Sequence, residues 1–432
     1  MNRRTFIKTV GVGSTCLLET IAQDMPQIEM TEYGYIVIDV NGDDTAAERD
    51  SLTKPFKSWR LAFSKARSND TILINPGIYT ETPTDITSIT DKPMAGSAFG
   101  LYGVNSVKVI GRGLPIVQLS THGSGFFIGD CADIDVSGIR IKGQGQLTTP
   151  NIQYFALMLL AGKNSFLNIH ECWFEEGGNH GIGHLFGPRS TNNSRFIGNK
   201  FFKGGNLSQN NLTWDGAAIA CGATGITVRD NYIDGWLRGV EIEASVVDNP
   251  TCRNIITHNQ ILNFLWEAVL ITSTHQHAEL FYDIIVSENL LKGLGSPSPI
   301  AASNTGIYLA SGHNISLLNN TIRDIWNGTG VNITSDWGPV ENCSVIGNMI
   351  ESCDRTGVSL VKKVWDPIQY TNAPKFPLND CLVAANNIHK VKGRGIWING
   401  DNHVVTGNKV SDLDWAGVYI EDGSNNSVIG NV

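Results

Sequence analysis

Glu241 and Glu243 stand two residues apart in RGVEIEA, where they alternate with Val240 and Ile242. A period of two marks a half-buried strand, so both carboxylates project from one face with their Cα atoms roughly 6.5 to 7 Å apart. Asp215, Arg238 and Glu267 hold matching places in related phrases, and Trp214, Trp236 and Trp266 adjoin them. His180 heads this ionisable series, His275 and His277 follow in THQHAE, and Arg189 lies in GPRS. Such a set suits sugar chemistry: one carboxyl group protonates the leaving oxygen while another activates water or attacks the anomeric carbon, and indole rings stack on sugar faces. Asp215, Glu241, Glu243, Glu267 and Arg238 form the expected catalytic group. Trp214, Trp236, Trp266, His180, His275 and Arg189 are the expected substrate contacts. A plainer reading stands beside this one, since exposed glutamates are ordinary on a sheet surface, Arg238 can serve as an ion-pair partner, and tryptophans can anchor loops. His180, His184, His275 and His277 show no diagnostic spacing for a metal.

What brings these residues together is a repeat. FIGNKF, VRDNYI, ITHNQI, VSENLL, LLNNTI, VIGNMI, VAANNI and VTGNKV each place an asparagine two residues before an apolar one, at Asn199, Asn231, Asn259, Asn289, Asn320, Asn348, Asn386 and Asn408. Cys172 in IHECWF takes this place one repeat earlier. A second phrase follows each asparagine: RGVEIEA, EAVLITS, TGIYLAS, TGVNITS, TGVSLVK, RGIWING and AGVYIED. It reads as a half-buried strand, and the irregular period suits a β-solenoid with insertions better than a helical solenoid. The expected fold is all-β, a single-stranded right-handed parallel β-helix whose coils stack about 4.8 Å apart. The asparagines are expected to form an internal ladder at one corner rather than to do chemistry. Aligned this way, one column runs His180, Asp215, Arg238, Glu267, Thr305, Thr329, Thr356, Arg394, while Ala218 falls beside Glu241 and Ala220 beside Glu243.

Composition agrees. Charged residues are only 17% of the 432, and glycine numbers 46, which favours turns over solvated helices. A net charge of -9 gives no general attraction to nucleic acid or anionic membrane. No apolar run after the N-terminus approaches the roughly 18 residues of a membrane helix. Residues 1–23, with Arg3 and Arg4 ahead of Phe6, Ile7 and Lys8, are expected to be a twin-arginine export signal cleaved after Ala22. Thr15 makes Cys16 a poor acylation site. The remaining seven cysteines, with no CxxC pair, point to buried thiols rather than a disulfide framework or zinc site.

A solenoid end needs a cap. KPFKSWRLAFSKARSNDTILINPGIYTE places Phe56, Trp59, Leu61, Ala62, Phe63 and Ala66 on an amphipathic helix before a strand from Thr71 to Ile74. The cap is expected over about 33–80 and the coils over about 100–432, within one domain spanning 24–432. The stretch YIVIDVNGDDTAAERDSLTKPFKSWRLAFSKARSNDTILINPGIYTE resembles the entry segment of the pectate-lyase-like superfamily of extracellular β-helix proteins, with Asn69 where glycine is usual. That resemblance implies the fold and a polysaccharide or oligosaccharide partner, spread over hydrolases, lyases, uronate epimerases, tailspikes and adhesins. The paired Asp-Asp and Gly-His-Gly of polygalacturonase-type hydrolases are missing, and GIRIK at 138–142 falls too early to match their signature. Lys362 and Lys363 are outlying candidates for a lyase base. The leading expectation is an exported enzyme that hydrolyses a polysaccharide. The alternatives are a lyase or epimerase using a basic residue and Ca²⁺ held by carboxylates, or a glycan-binding β-helix without turnover. The chain ends on NNSVIGNV, inside another asparagine phrase, with no cap recognisable there.

Overall fold

Residue types on the strands explain why the coils stack. Val240, Val269, Ile307, Val331, Val358 and Ile396 lie directly above one another in register and are fully buried. Branched side chains pack well on a pleated surface, and burying each contributes roughly 1.5–3 kcal/mol. The computed structural model describes residues 34–84, 96–145, 156–184, 190–205, 216–244, 250–273, 281–296, 304–362 and 376–432, so the expected export signal lies outside it. Among these residues each coil visits three parallel sheets in turn. In one coil these strands are Thr227–Arg229, Tyr232–Trp236 and Arg238–Ala244. The sheets contain 15, 12 and 12 strands, called the first, second and third below. A fourth sheet of 5 short strands, from Thr251–Cys252 to Leu378–Asn379, follows the third. The parallel β-helix expected from the repeat is therefore present.

The asparagine phrase forms the corner between the first and second sheets. His258, Glu288, Asn319 and Ala385, each preceding a ladder asparagine, have φ of 56°, 56°, 52° and 54°. A left-handed residue costs roughly 1–2 kcal/mol outside glycine, and Gly198, Gly347 and Gly407 fill the same place in other coils. The corner is held by the asparagine that follows. Asn231 Nδ2 donates to Asn259 Oδ1 at 2.9 Å, and the chain of bonds continues through Asn289, Asn320, Asn348, Asn386 and Asn408 to Asn431. Each Oδ1 also accepts the preceding asparagine's backbone N–H, as at 2.9 Å from Asn259 to Asn289. Cys172 donates its N–H to Asn199 Oδ1 at 3.0 Å, the place that the repeat gave it.

At the N-terminal end the helix is shorter than the apolar spacing suggests, Trp59–Ser64. Phe56 instead bridges to Ile38 in strand fashion. Ser58 caps the helix by accepting from Leu61 N–H, and buried Glu81 accepts from Trp59 N–H at 2.6 Å. Burial pushes the Glu81 carboxyl above its usual range. Trp59 and Phe63 pack on Phe99, and Phe63 also on Phe126, which closes the end of the core. The strand Thr71–Ile74 lies where it is expected. Cys131, Cys172, Cys221, Cys252, Cys343, Cys353 and Cys381 are buried free thiols. Among the described residues no helix is long and apolar enough to cross a membrane.

Candidate functional site

The strands Arg238–Ala244 and Glu267–Ser273 are neighbours in the third sheet, paired Val240 to Val269 and Glu241 to Leu270. Val240 and Ile242 fill the core, so Glu241 and Glu243 lie on the outward side, as the alternation requires. This register sets Arg238 beside Glu267 one coil on. Arg238 Nε donates to Glu267 Oε2 at 2.9 Å, and Nη1 donates to Glu241 Oε2 at 3.1 Å. One guanidinium thus bridges two carboxylates. Its carbon lies 5.3 Å from the Trp266 ring centroid. Trp266 packs with Leu237 and Leu265 in a small apolar cluster separate from the main core. Although they face outward, Glu241 is only 4% exposed and Arg238 7%. Apolar walls of this kind strengthen the attraction between the charges. Glu243, two residues further along, is half-buried and has other partners.

Tyr308 extends the group, because it stacks on Leu270, which itself stacks on Glu241. Its hydroxyl donates to Asp336 Oδ2 at 2.6 Å and accepts from Thr334 Oγ1 at 3.3 Å. Burial, then the Asp336 charge, pushes this phenol well above its ordinary value, and Glu267 adds to the effect. The phenol therefore keeps its proton at neutral pH. Nothing in the repeat phrase marks Asp336. Its only signal is that Tyr308 is an aromatic residue with a hydroxyl in the outward column.

Of the residues singled out in the sequence, Arg238, Glu241, Glu267 and Trp266 meet. Trp236 does not join them: it is fully buried in the core, edge-on to Phe201 at 6.2 Å, and offers no face to a sugar. His180 is also buried, and its Nδ1 accepts the Ala217 N–H at 3.2 Å, so it ties two strands together. The column alignment needs one correction. Ala217, not Asp215, pairs with Arg238, and Ala220, not Ala218, lies beside Glu241. A shift of two residues leaves the in–out alternation intact, so periodicity alone cannot detect it. Asp215, Trp214, Arg189, His275, His277 and Lys363 lie outside the described residues. Lys362 Nζ pairs with Asp401 at 2.7 Å. Ca²⁺ takes six to eight oxygens, and the bridged carboxylates do not fit it because their Oε2 atoms face a cation. Among the described residues no group of three or more His, Cys, Asp or Glu is placed to hold a metal ion.

Residues 295–432 match the family described as "Right handed beta helix region". No curated protein sequence matches the chain. Among solved structures, the A-module of mannuronan C-5 epimerase AlgE6 from Azotobacter vinelandii is similar at 12% identity and TM-score 0.58, covering 86% of this chain and 94% of that one. The catalytic unit of a GH87 α-1,3-glucanase from Streptomyces thermodiastaticus shows 14% identity and TM-score 0.58 over 92% of this chain and 69% of that one. The Streptococcus pneumoniae surface adhesin PfbA gives 13% and 0.52 over 80% and 83%. Likeness at this level of identity shows the fold alone. With all described strand pairs parallel and three sheets visited in every coil, the chain is a right-handed parallel β-helix protein.

Proposed function

We propose that this protein is a carbohydrate-active enzyme that cleaves a polysaccharide on the outward side of the third sheet by carboxylate-based glycoside hydrolysis. The observation that carries the reading is the bridging of buried Glu241 and half-buried Glu267 by buried Arg238, where the repeat calls for no charge. The same columns hold Thr305, Thr329 and Thr356, or Leu270, Tyr308, Asn332 and Ser359, and those coils stack in the same register. Taking ions out of water costs several kcal/mol each, and the stacking of this sheet does not require a charge at these places. In the reaction, water's oxygen bonds to the anomeric carbon as the glycosidic C–O bond breaks. One carboxylate takes the proton from water and another carboxyl group gives one to the leaving oxygen. In this reading Glu241 and Glu267, held by Arg238, take these roles, with Glu243 adjacent. The likeness to a glucanase and an epimerase is consistent with a glycan substrate. The twin-arginine pattern at the N-terminus supports action outside the cytoplasm.

The Tyr308–Asp336 pair favours a second reading, a lyase or C-5 epimerase. There a base removes the proton beside a uronate carboxylate, and a protonated phenol returns a proton to the sugar or to the leaving oxygen. A polysaccharide panel incubated with and without chelator separates the readings. Hydrolysis releases reducing ends only, whereas a lyase also raises the absorbance of an unsaturated product. Glu241→Gln and Glu267→Gln are expected to stop turnover. If both variants digest every substrate as well as the unaltered protein, the carboxylates are not the reacting groups.

A further inference from the structure

Arg394 lies in the column that Arg238 begins. Glu267 pairs with Thr305, Thr305 with Thr329, Thr329 with Thr356, and Thr356 with Arg394. The two arginines are thus five coil steps apart, about 24 Å at the usual strand spacing. Their surroundings differ. The Arg394 guanidinium carbon lies 4.4 Å from the Trp397 ring centroid, 4.1 Å from that of Trp415 and 4.6 Å from that of Tyr419. Among the described residues no carboxylate pairs with it, and its Nε is buried without an acceptor. In the coil before it, Asp354 is engaged with Lys392 at 2.8 Å and Glu351 with Lys390 at 2.7 Å.

Rings against a guanidinium cover its faces and leave only its in-plane N–H groups as donors, the edge that receives a carboxylate or sulfate in two parallel bonds. We propose that Arg394, Trp397, Trp415 and Tyr419 form a second glycan subsite that takes a sugar carrying an anionic group. The anion bonds to Arg394 while the sugar ring lies on Trp415. The proposal rests on the reading that the Arg238 face receives a carbohydrate, and it adds the substrate class: an anionic polymer long enough to pass the threonine hydroxyls of Thr305, Thr329 and Thr356 and reach both arginines.

The test measures binding by calorimetry in a Glu241→Gln background, to prevent turnover, against a uronate polymer, a sulfated polymer and a neutral polymer. Adding Arg394→Gln is expected to weaken binding of the anionic polymer by about tenfold or more, the worth of one or two charge-assisted hydrogen bonds, and to leave the neutral polymer unchanged. Arg394→Lys, which keeps the charge but not the fork, is expected to restore only part of the loss, and Trp415→Ala to weaken every polymer that binds. The uronate and sulfate arms identify the anionic group. The subsite is overturned if no anionic polymer binds the Glu241→Gln protein, or if Arg394→Gln and Trp415→Ala both bind as that protein does. Binding that depends on Arg394 without cleavage by the unaltered protein would keep the subsite and remove the enzyme. Cleavage with binding indifferent to Arg394 would do the reverse.

Discussion

The amides at the corner between the first and second sheets and the charges on the third sheet are both polar groups kept from water, and they differ in repetition. The corner recurs from Asn199 to Asn431, and each amide finds its partners in the next coil and in a backbone carbonyl, as Asn289 does in Asn320 and Ile256. Arg238, Glu241 and Glu267 occur together once, and neighbouring coils fill their columns with hydroxyl, amide or apolar side chains. In a solenoid each coil answers only to its neighbours, so a polar group needed for stacking must recur with the stack. A group that does not recur is not required by the stack. The two arginines of one column repeat the lesson on a smaller scale, one answered by carboxylates and the other by rings.

This contrast breaks if the two regions respond alike to substitution. Glu241→Gln should lower kcat/KM on the best panel substrate by about a hundredfold or more, within the usual share of a general acid or base. Its melting temperature should stay close to that of the unaltered protein. Arg238→Ala should cost about 3–5 kcal/mol in urea unfolding, because it leaves buried Glu241 and half-buried Glu267 without their cation, and adding Glu241→Gln with Glu267→Gln should return part of the loss. Asn289→Ala should cost about 1–3 kcal/mol, because the Asn259 amide loses its acceptor and Ile256 its donor, while glycan affinity stays unchanged. Tyr308→Phe sharpens the picture by pH. The phenol is raised in the folded protein, so its contribution is complete below about pH 10, the unfolded value, and is lost as pH rises through the folded value. Melting temperatures above about pH 10 should therefore fall less steeply with pH in the variant. Lys362→Ala, which removes an exposed pair with Asp401, should change stability by less than about 1 kcal/mol.

The repeating part of the molecule was legible because its signal is local. An asparagine after a left-handed residue and a small residue before an alternating strand recur in every coil, and even Cys172 could be set in its place. The unrepeated part was legible only where two residues share a register. Arg238 and Glu267 could be paired from aligned phrases, whereas the coil of Ala217 could not, since WDGAAIACG fits two registers with the same faces inward. Trp236 could not be told from a groove residue, because whether the last residue of a strand turns inward depends on the bend of the next corner. Asp336 went unmarked, since its partner Tyr308 lies 28 residues back and is reached only by the turn after its own strand. The clamp on Arg394 gathers Trp397, Trp415 and Tyr419 from two coils, and no single stretch of sequence displays it.

Successive ladder asparagines are as few as 22 residues apart, between Asn386 and Asn408, or as many as 38, between Asn348 and Asn386. The amide contacts across these two steps are nonetheless 2.8 and 3.0 Å. The surplus in the longer step falls between Thr356–Val361 of the third sheet and Leu378–Asn379. Growth in chain length is thereby taken up after the third sheet, and the corner between the first and second sheets does not register it. A lineage could lengthen, trade or remodel the segments that follow the third sheet without renegotiating the frame, which leaves their diversification mechanically cheap.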